Sequence, residues 1–154
     1  GNKSVEGSFL KNKPNGKWTE FHENGQIRSK AFYKNGHEEG PYTAYYDNGN
    51  KSLERSVVNG IKIKIEYHEN GRKKLDEETY DDGRRCLIHY DRNGQHYRTI
   101  NYNKDGRKNG PYINYGKNGN KILEASYLND KEHGKWIYYS DDEKILKEEI
   151  KNTN

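Results

Sequence analysis

Asn-Gly and Asp-Gly pairs recur along this chain every 11 to 13 residues, which leaves room for short strands between turns and for little else. One series is Asn24-Gly25, Asn48-Gly49, Asn70-Gly71, Asn93-Gly94 and Asn118-Gly119, degenerating to Asp142-Glu143. A second, interleaved with it, is Asn35-Gly36, Asn59-Gly60, Asp82-Gly83, Asp105-Gly106 and Asn129-Asp130. These pairs accept positive φ at both central positions of a tight turn, so each is expected to close a β-hairpin. Counted from Gly16, six units begin at residues 16, 40, 62, 85, 110 and 134, each 22 to 25 residues long. The copies at 40–60 and 110–130 share 12 of 21 positions without a gap. Residues 5–15 read as the trailing half of a further unit.

Between turns the pattern alternates. Five positions into each unit stand Phe21, Tyr45, Tyr67, Tyr90, Tyr115 and Tyr139, all aromatic. Two positions earlier stand Thr19, Thr43, Ile65, Ile88, Ile113 and Ile137, all β-branched. Residues two apart share one face of a strand, and these are the residue types strands favour, so the two columns are expected to form the core face. In the returning strands Leu53, Leu75, Leu123, Ala31, Ala125, Tyr33, Tyr102 and Tyr127 are further inward candidates. The fold expected is all-β: an elongated, single-layer antiparallel β-meander of tandem hairpins with about thirteen strands. It forms one array over residues 5–152, with residues 1–4 and 153–154 as disordered ends. Glu143–Ile150 reads as a charged edge strand.

The middle of the array differs. Units 1, 2, 5 and 6 open with Gly, then Lys or Pro, then Trp18, Tyr42, Tyr112 or Trp136. Units 3 and 4 open with Lys62 and Arg85 and are two residues shorter at the same place. Glycine, ring and two residues are gained or lost together, as a β-bulge with a ring over bare backbone would require. A change of twist is therefore expected around residues 60–95.

Hydrophobic residues make up 29% and mean hydropathy is −1.47, close to the composition of disordered chains. Fourteen tyrosines and the strict period argue for a thin folded sheet instead, since each ring buries area and keeps its hydroxyl wet. The net charge of +4 comes from mixed signs, with Asp76, Glu77 and Glu78 following Arg72-Lys73-Lys74, so no nucleic-acid footprint is expected. Cys86 is the only cysteine, which rules out a disulfide framework and a thiolate metal site. No apolar run has membrane-spanning length. There is no Met, so the sequence reads as an excised piece or a mature product, and the compartment stays open: cytoplasmic, or cell-surface or secreted with the targeting segment outside the given sequence.

The order Tyr-x-x-Asn-Gly, then Lys-x-x-x-Glu, then Tyr-x-Asn-Gly-x-x-x-Gly-x-Tyr/Trp resembles MORN repeats in their bacterial variant form, which also occurs in antitoxin- or immunity-like proteins. Tyr33 to Tyr42 and Tyr127 to Trp136 carry the resemblance best, and it covers roughly residues 7–150. It implies stacked β-hairpins and a bacterial protein used for protein–protein contact or scaffolding, with phospholipid binding and toxin neutralisation known among relatives.

Catalysis is not expected. His22 and His68 precede Glu-Asn-Gly in one column, but two units separate them, too far for one ion, and exposed turn-flanking residues are the expectation. Glu54, Asp76, Glu124 and Glu148 also share a column. A catalytic carboxylate is needed once, whereas a cross-strand ion pair is needed in every repeat. No cofactor or metal is implied. Recognition remains: Trp18, Tyr42, Tyr112 and Trp136 lie by parity on the face opposite the core columns and are candidate binding residues, the alternative being that each ring covers its own glycine. The expected partner is a protein, with a phospholipid or carbohydrate surface as the alternative and a homodimer through sheet edge or face left open.

Overall fold

The computed structural model describes residues 4–152, and all regular structure in it is β-strand. The terminal expectation for residues 1–3 and 153–154 lies outside the described residues; Ser4 is described, and its carbonyl accepts a hydrogen bond from Phe21 N at 3.0 Å. The chain forms two compact units, Gly1–Lys73 and Lys74–Asn154.

In the first unit, β1 (Val5–Leu10), β2 (Lys13–Phe21), β3 (Ile27–Lys34), β5 (Tyr42–Tyr45), β6 (Lys51–Val58) and β7 (Ile61–Tyr67) pair antiparallel in chain order, and the two-residue β4 (His37–Glu38) also pairs with β3. The second unit repeats the scheme. It runs β8 (Lys73–Thr79), β9 (Arg85–Tyr90), β10 (His96–Tyr102), β11 (Lys108–Tyr115), β12 (Lys121–Leu128), β14 (Gly134–Tyr139) and β15 (Ile145–Lys151), with β13 (Lys131–Glu132) also on β12. The thirteen strands of the meander are therefore present. β4 and β13 are the first pieces of strands that a bulge interrupts.

Strand registers place that bulge. On β1 Gly7 and Phe9 are two apart, but their partners Trp18 and Pro14 are four apart. Ile100 and Tyr102 show the same mismatch against Tyr112 and Lys108. Ser29 and Tyr33 pair with Ala44 and Glu38, Leu123 and Tyr127 with Tyr138 and Glu132, again two extra residues each time. β6–β7 and β8–β9 run without interruption. These are the short units of the sequence, so the missing two residues are the missing bulge. Gly16 and Gly110 sit in it at φ 99° and 98°, a conformation that side chains rarely adopt.

The turns are of two kinds, not one. At Asn35-Gly36 both residues have positive φ (53° and 85°), a two-residue type I′ hairpin. At Asn24-Gly25 only the glycine does, and the His22 carbonyl receives a hydrogen bond from Gly25 N while His22 N–H reaches Gln26 O, which is a type I turn closed by a glycine bulge. All of the first series is built this way, with Glu143 in the glycine's place in the last copy, as are Asp82-Gly83 and Asp105-Gly106. Along the second series the choice follows the preceding hairpin. After a bulged hairpin the turn is type I′, at Asn35-Gly36, Asn59-Gly60 and Asn129-Asp130. In two of these three a carbonyl of that hairpin holds it: Gly36 N donates to Pro14 O (2.9 Å) and Asp130 N to Lys108 O (3.0 Å). After an unbulged hairpin the three-residue form appears.

Candidate functional site

Direct cross-strand partners point to the same side of a sheet, so the pairings sort side chains into two faces within each unit. Trp18, Tyr42, Tyr112 and Trp136 share one face with Ala31, Leu53, Leu123, Ala125, Tyr127 and Ile100; the Thr/Ile and Phe/Tyr columns occupy the other. The two faces share burial unevenly. Every column residue is half-buried, while the three apolar side chains buried among the described residues, Ile100 (7% exposed), Ala125 (6%) and Trp136 (5%), all lie on the Trp/Tyr face. The returning-strand residues expected to join the columns join this face instead. Alternation alone identified which residues share a face, but not which face would carry more cover.

The rings on that face hold one another. Tyr127 meets Tyr112 and Trp136 edge-on at centroid distances of 5.4 and 5.5 Å, and Trp136 Nε1 donates to Ser126 O at 3.2 Å. Cations cap them: Lys108 stands 4.8 Å over Tyr127 and Lys151 5.6 Å over Trp136. In the first unit Arg55 stands 4.2 Å over Tyr42 while bonding Glu38 through its guanidinium (3.0 and 3.1 Å). Trp18 packs on Phe9, Tyr33 and the bare backbone of Gly7, one strand away. A Cβ at Gly16, Gly40 or Gly134 would enter open space, so those glycines serve backbone conformation and not close approach of a ring. Of the four candidate rings, Tyr112 and Trp136 are thus joined through Tyr127 in the second unit, while in the first unit Trp18 packs with Phe9 and Tyr33, and Tyr42 with Arg55.

The column face has a chemistry of its own. Tyr90 Oη donates to Asp76 at 2.8 Å, Tyr139 Oη to Glu124 at 2.8 Å, and Tyr67 Oη to Glu54. Glu54 and Glu124 also take Lys51 (2.6 Å) and Lys121 (3.0 Å). Each tyrosine reaches back to the carboxylate of the preceding unit, so the recurrent acid is a structural partner in every copy. Where the column lacks an acid the contact changes: Lys30 stands 5.8 Å over Tyr45, and His96, bonded to Thr99 at 2.9 Å, stacks on Tyr115 at 4.3 Å. Burial opposes ionisation of Glu54, yet the bonds from Lys51 and Tyr67 outweigh it and its carboxyl lies below the usual range. Glu124 is lowered by Tyr139 and Lys121. Burial first, then the bond to Asp76, pushes Tyr90 from 10 to about 12.

A raised tyrosine pKa favours the neutral form in the folded chain, so its contribution is complete below pH 10 and is lost as pH climbs towards about 12. Tyrosinate absorbance of the native chain should accordingly show a late-ionising tyrosine. Tyr90→Phe removes that late step and lowers stability at neutral pH by about 1 kcal/mol. A titration curve unchanged by the substitution would place the late step elsewhere.

Two neighbouring depressions on the column face of the first unit join at Pro41 and Thr43. Across the strands the lining runs from Thr19 through Lys30 and Phe32 to Thr43, then through Ser56 to Ile63 and Ile65. Here units 1 and 2 carry Thr19 and Thr43 where units 3 to 6 carry isoleucine, so less side-chain volume stands over this face. Read only as β-branched residues, those threonines hid the hollow that they line. Phe32, 44% exposed, leaves an apolar flank open to solvent.

Turn-to-turn bonds tie successive repeats together. Asn24 Nδ2 donates to Asp47 O (2.8 Å), Asn48 to Glu69 O (2.9 Å) and Asn118 to Asp141 O (2.8 Å), each one unit ahead. His22 is half-buried, not exposed, and its Nε2 lies 2.9 Å from Tyr45 O. His68 is half-buried as well. No group of three or more His, Cys, Asp or Glu is gathered as for a metal among the described residues. Burial, then the charge of Glu78, pushes the Cys86 thiol up, away from nucleophilic reactivity.

With this geometry in hand, comparison with known families shows that the MORN repeat variant fits residues 14–35 and 38–59. No curated protein matches the chain. The matched stretch spans β2 to β6 and includes the trough apart from its Ile63 and Ile65 flank; in the second unit the same hairpin plan, with bulges at Gly110 and Gly134, recurs without a match.

Proposed function

We propose that this chain is a non-enzymatic binding module that contacts a protein partner through the trough over Thr19, Thr43 and Ser56. The observation that carries the reading is the replacement of isoleucine by threonine in the two units that match the MORN repeat variant, at an apolar-flanked hollow on the column face. An extended segment can lie across such a face and place alternate side chains into it. A scaffold, host-contact or toxin-neutralising role in a bacterium is a special case of this reading, and co-purification with the product of the neighbouring gene distinguishes the last. The alternative, a phospholipid- or carbohydrate-binding surface, draws on the Trp/Tyr face, where the rings are already engaged by one another and by cations.

The test immobilises the chain and its Thr43→Arg variant against protein extract of the source cells, alongside sedimentation with phosphatidylserine vesicles. A stoichiometric protein captured by the native chain and lost with Thr43→Arg, whose unfolding midpoint stays within about 0.5 kcal/mol of the parent's in free energy, supports the reading. Salt-sensitive uptake by vesicles without protein capture overturns it in favour of the lipid surface.

A further inference from the structure

Asn-Gly is also the dipeptide in which a backbone nitrogen most readily attacks the preceding side chain, since glycine leaves that nitrogen unshielded. The chain has nine such pairs. In six of them the glycine N–H is committed: Gly25 to His22 O (2.9 Å), Gly36 to Pro14 O (2.9 Å), Gly49 to Tyr46 O (3.0 Å), Gly71 to His68 O (2.9 Å), Gly94 to Asp91 O (2.9 Å) and Gly119 to Gly116 O (3.0 Å). Asn15 and Asn109 lie inside strands, and their side-chain oxygens accept from Asn35 N (3.2 Å) and Asn129 N (3.3 Å). Asn59-Gly60 stands apart: among the described residues neither the Asn59 side chain nor the Gly60 N–H has a hydrogen-bond partner. The pair forms the exposed tip of the β6–β7 hairpin, after Val57 (65% exposed) and Val58 (50%).

We propose that Asn59 is a self-modification site, the first of the nine asparagines to be converted to aspartate and isoaspartate. Gly60 N forms a bond to Asn59 Cγ while the C–NH2 bond breaks, and the side-chain nitrogen leaves as ammonia with the amide proton. The five-membered imide then takes up water at either carbonyl. One opening leaves an aspartate at this position with its peptide bond kept; the other routes the backbone through the side chain as isoaspartate. Overall, one amide and one water become one acid and one ammonia. Each event adds a negative charge at the hairpin tip, and the isoaspartyl form lengthens the backbone in a two-residue turn that allows no spare atom. The selectivity comes from the fold, because eight competitors must first break a bond that Asn59 lacks.

The full chain is aged at mildly alkaline pH, folded and in denaturant, and digested with trypsin, which isolates residues 56–62 from the other pairs. In the folded sample the 56–62 peptide is expected to acquire the acid and isoaspartyl forms several times faster than the peptides holding Asn24, Asn48 or Asn118. In denaturant that lead should disappear. A folded sample in which one of the locked pairs leads, or in which all advance together, overturns the proposal; so does an Asn59 lead that is the same in denaturant, since its cause would then be local sequence.

Discussion

Trp136→Ala is expected to lower stability by about 3–4 kcal/mol, the range for truncating a buried large aromatic side chain. The indole is 5% exposed in a protein that buries only two other apolar residues among those described, so it covers a large share of what the second unit hides from water. Its loss removes the edge contact with Tyr127 (5.5 Å), the tilted contact with Tyr138 (6.4 Å) and the cover over Ala125, and leaves Ser126 O without its Nε1 donor. Trp136→Phe separates these terms: most ring packing survives, and the cost falls to about 1 kcal/mol for the hydrogen bond. Because the chain has two compact units, the readout is hydrogen exchange at β12 and β14 together with thermal unfolding, not a single global midpoint. Exchange at β12 and β14 unaffected by Trp136→Ala would mean that cross-strand pairs, at about 0.2–1 kcal/mol each, hold the unit without the ring.

The architecture was readable in the sequence because each hairpin states its own turns. Asn-Gly spacing located the strands, and the two-residue shortfall in units 3 and 4 located the bulges that they lack, since a bulge is a change in residue count and counts survive in sequence. Three things were hidden for physical reasons. The same Asn-Gly pair serves a type I′ turn at residue 35 and a type I turn with a glycine bulge at residue 24, because the dipeptide accepts both and its place in the repeat decides between them. The weight of burial on the Trp/Tyr face depends on small residues, Ala31 and Ala125, lying beneath large rings one strand away, which alternation along a strand does not reveal. The tyrosine–carboxylate bonds join residues 13 to 15 apart across a turn and became visible only once the register was known.

That coupling between strands is sharpest at Gly7. A Cβ there would lie 2.0 Å from Trp18 Cε3, with two more ring carbons inside 3.0 Å, distances that no packed side chain tolerates. Gly7→Ala must therefore swing the indole away from Phe9 (5.3 Å, 83° between planes) and Tyr33 (5.9 Å, 67°), at a cost of about 2 kcal/mol, within the range for overpacking. Trp18→Ala, which empties a half-buried site, should cost about the same, less than Trp136→Ala. Combined, the two should not add. With the indole gone the alanine methyl at residue 7 meets nothing large, and it costs an edge strand less backbone entropy than glycine does. The double variant should therefore be no less stable than Trp18→Ala alone, a coupling of about 2 kcal/mol. Additive losses would place the indole elsewhere than on Gly7. The measurement also reaches the edge of the sheet, because all six residues of β1 are exposed and the ring laid on its glycine ties that strand to the rest of the unit. In Gly7→Ala, amide exchange should accelerate first across residues 5–10, ahead of β2 and β3, since an edge strand that loses this ring contact frays before the ladder behind it.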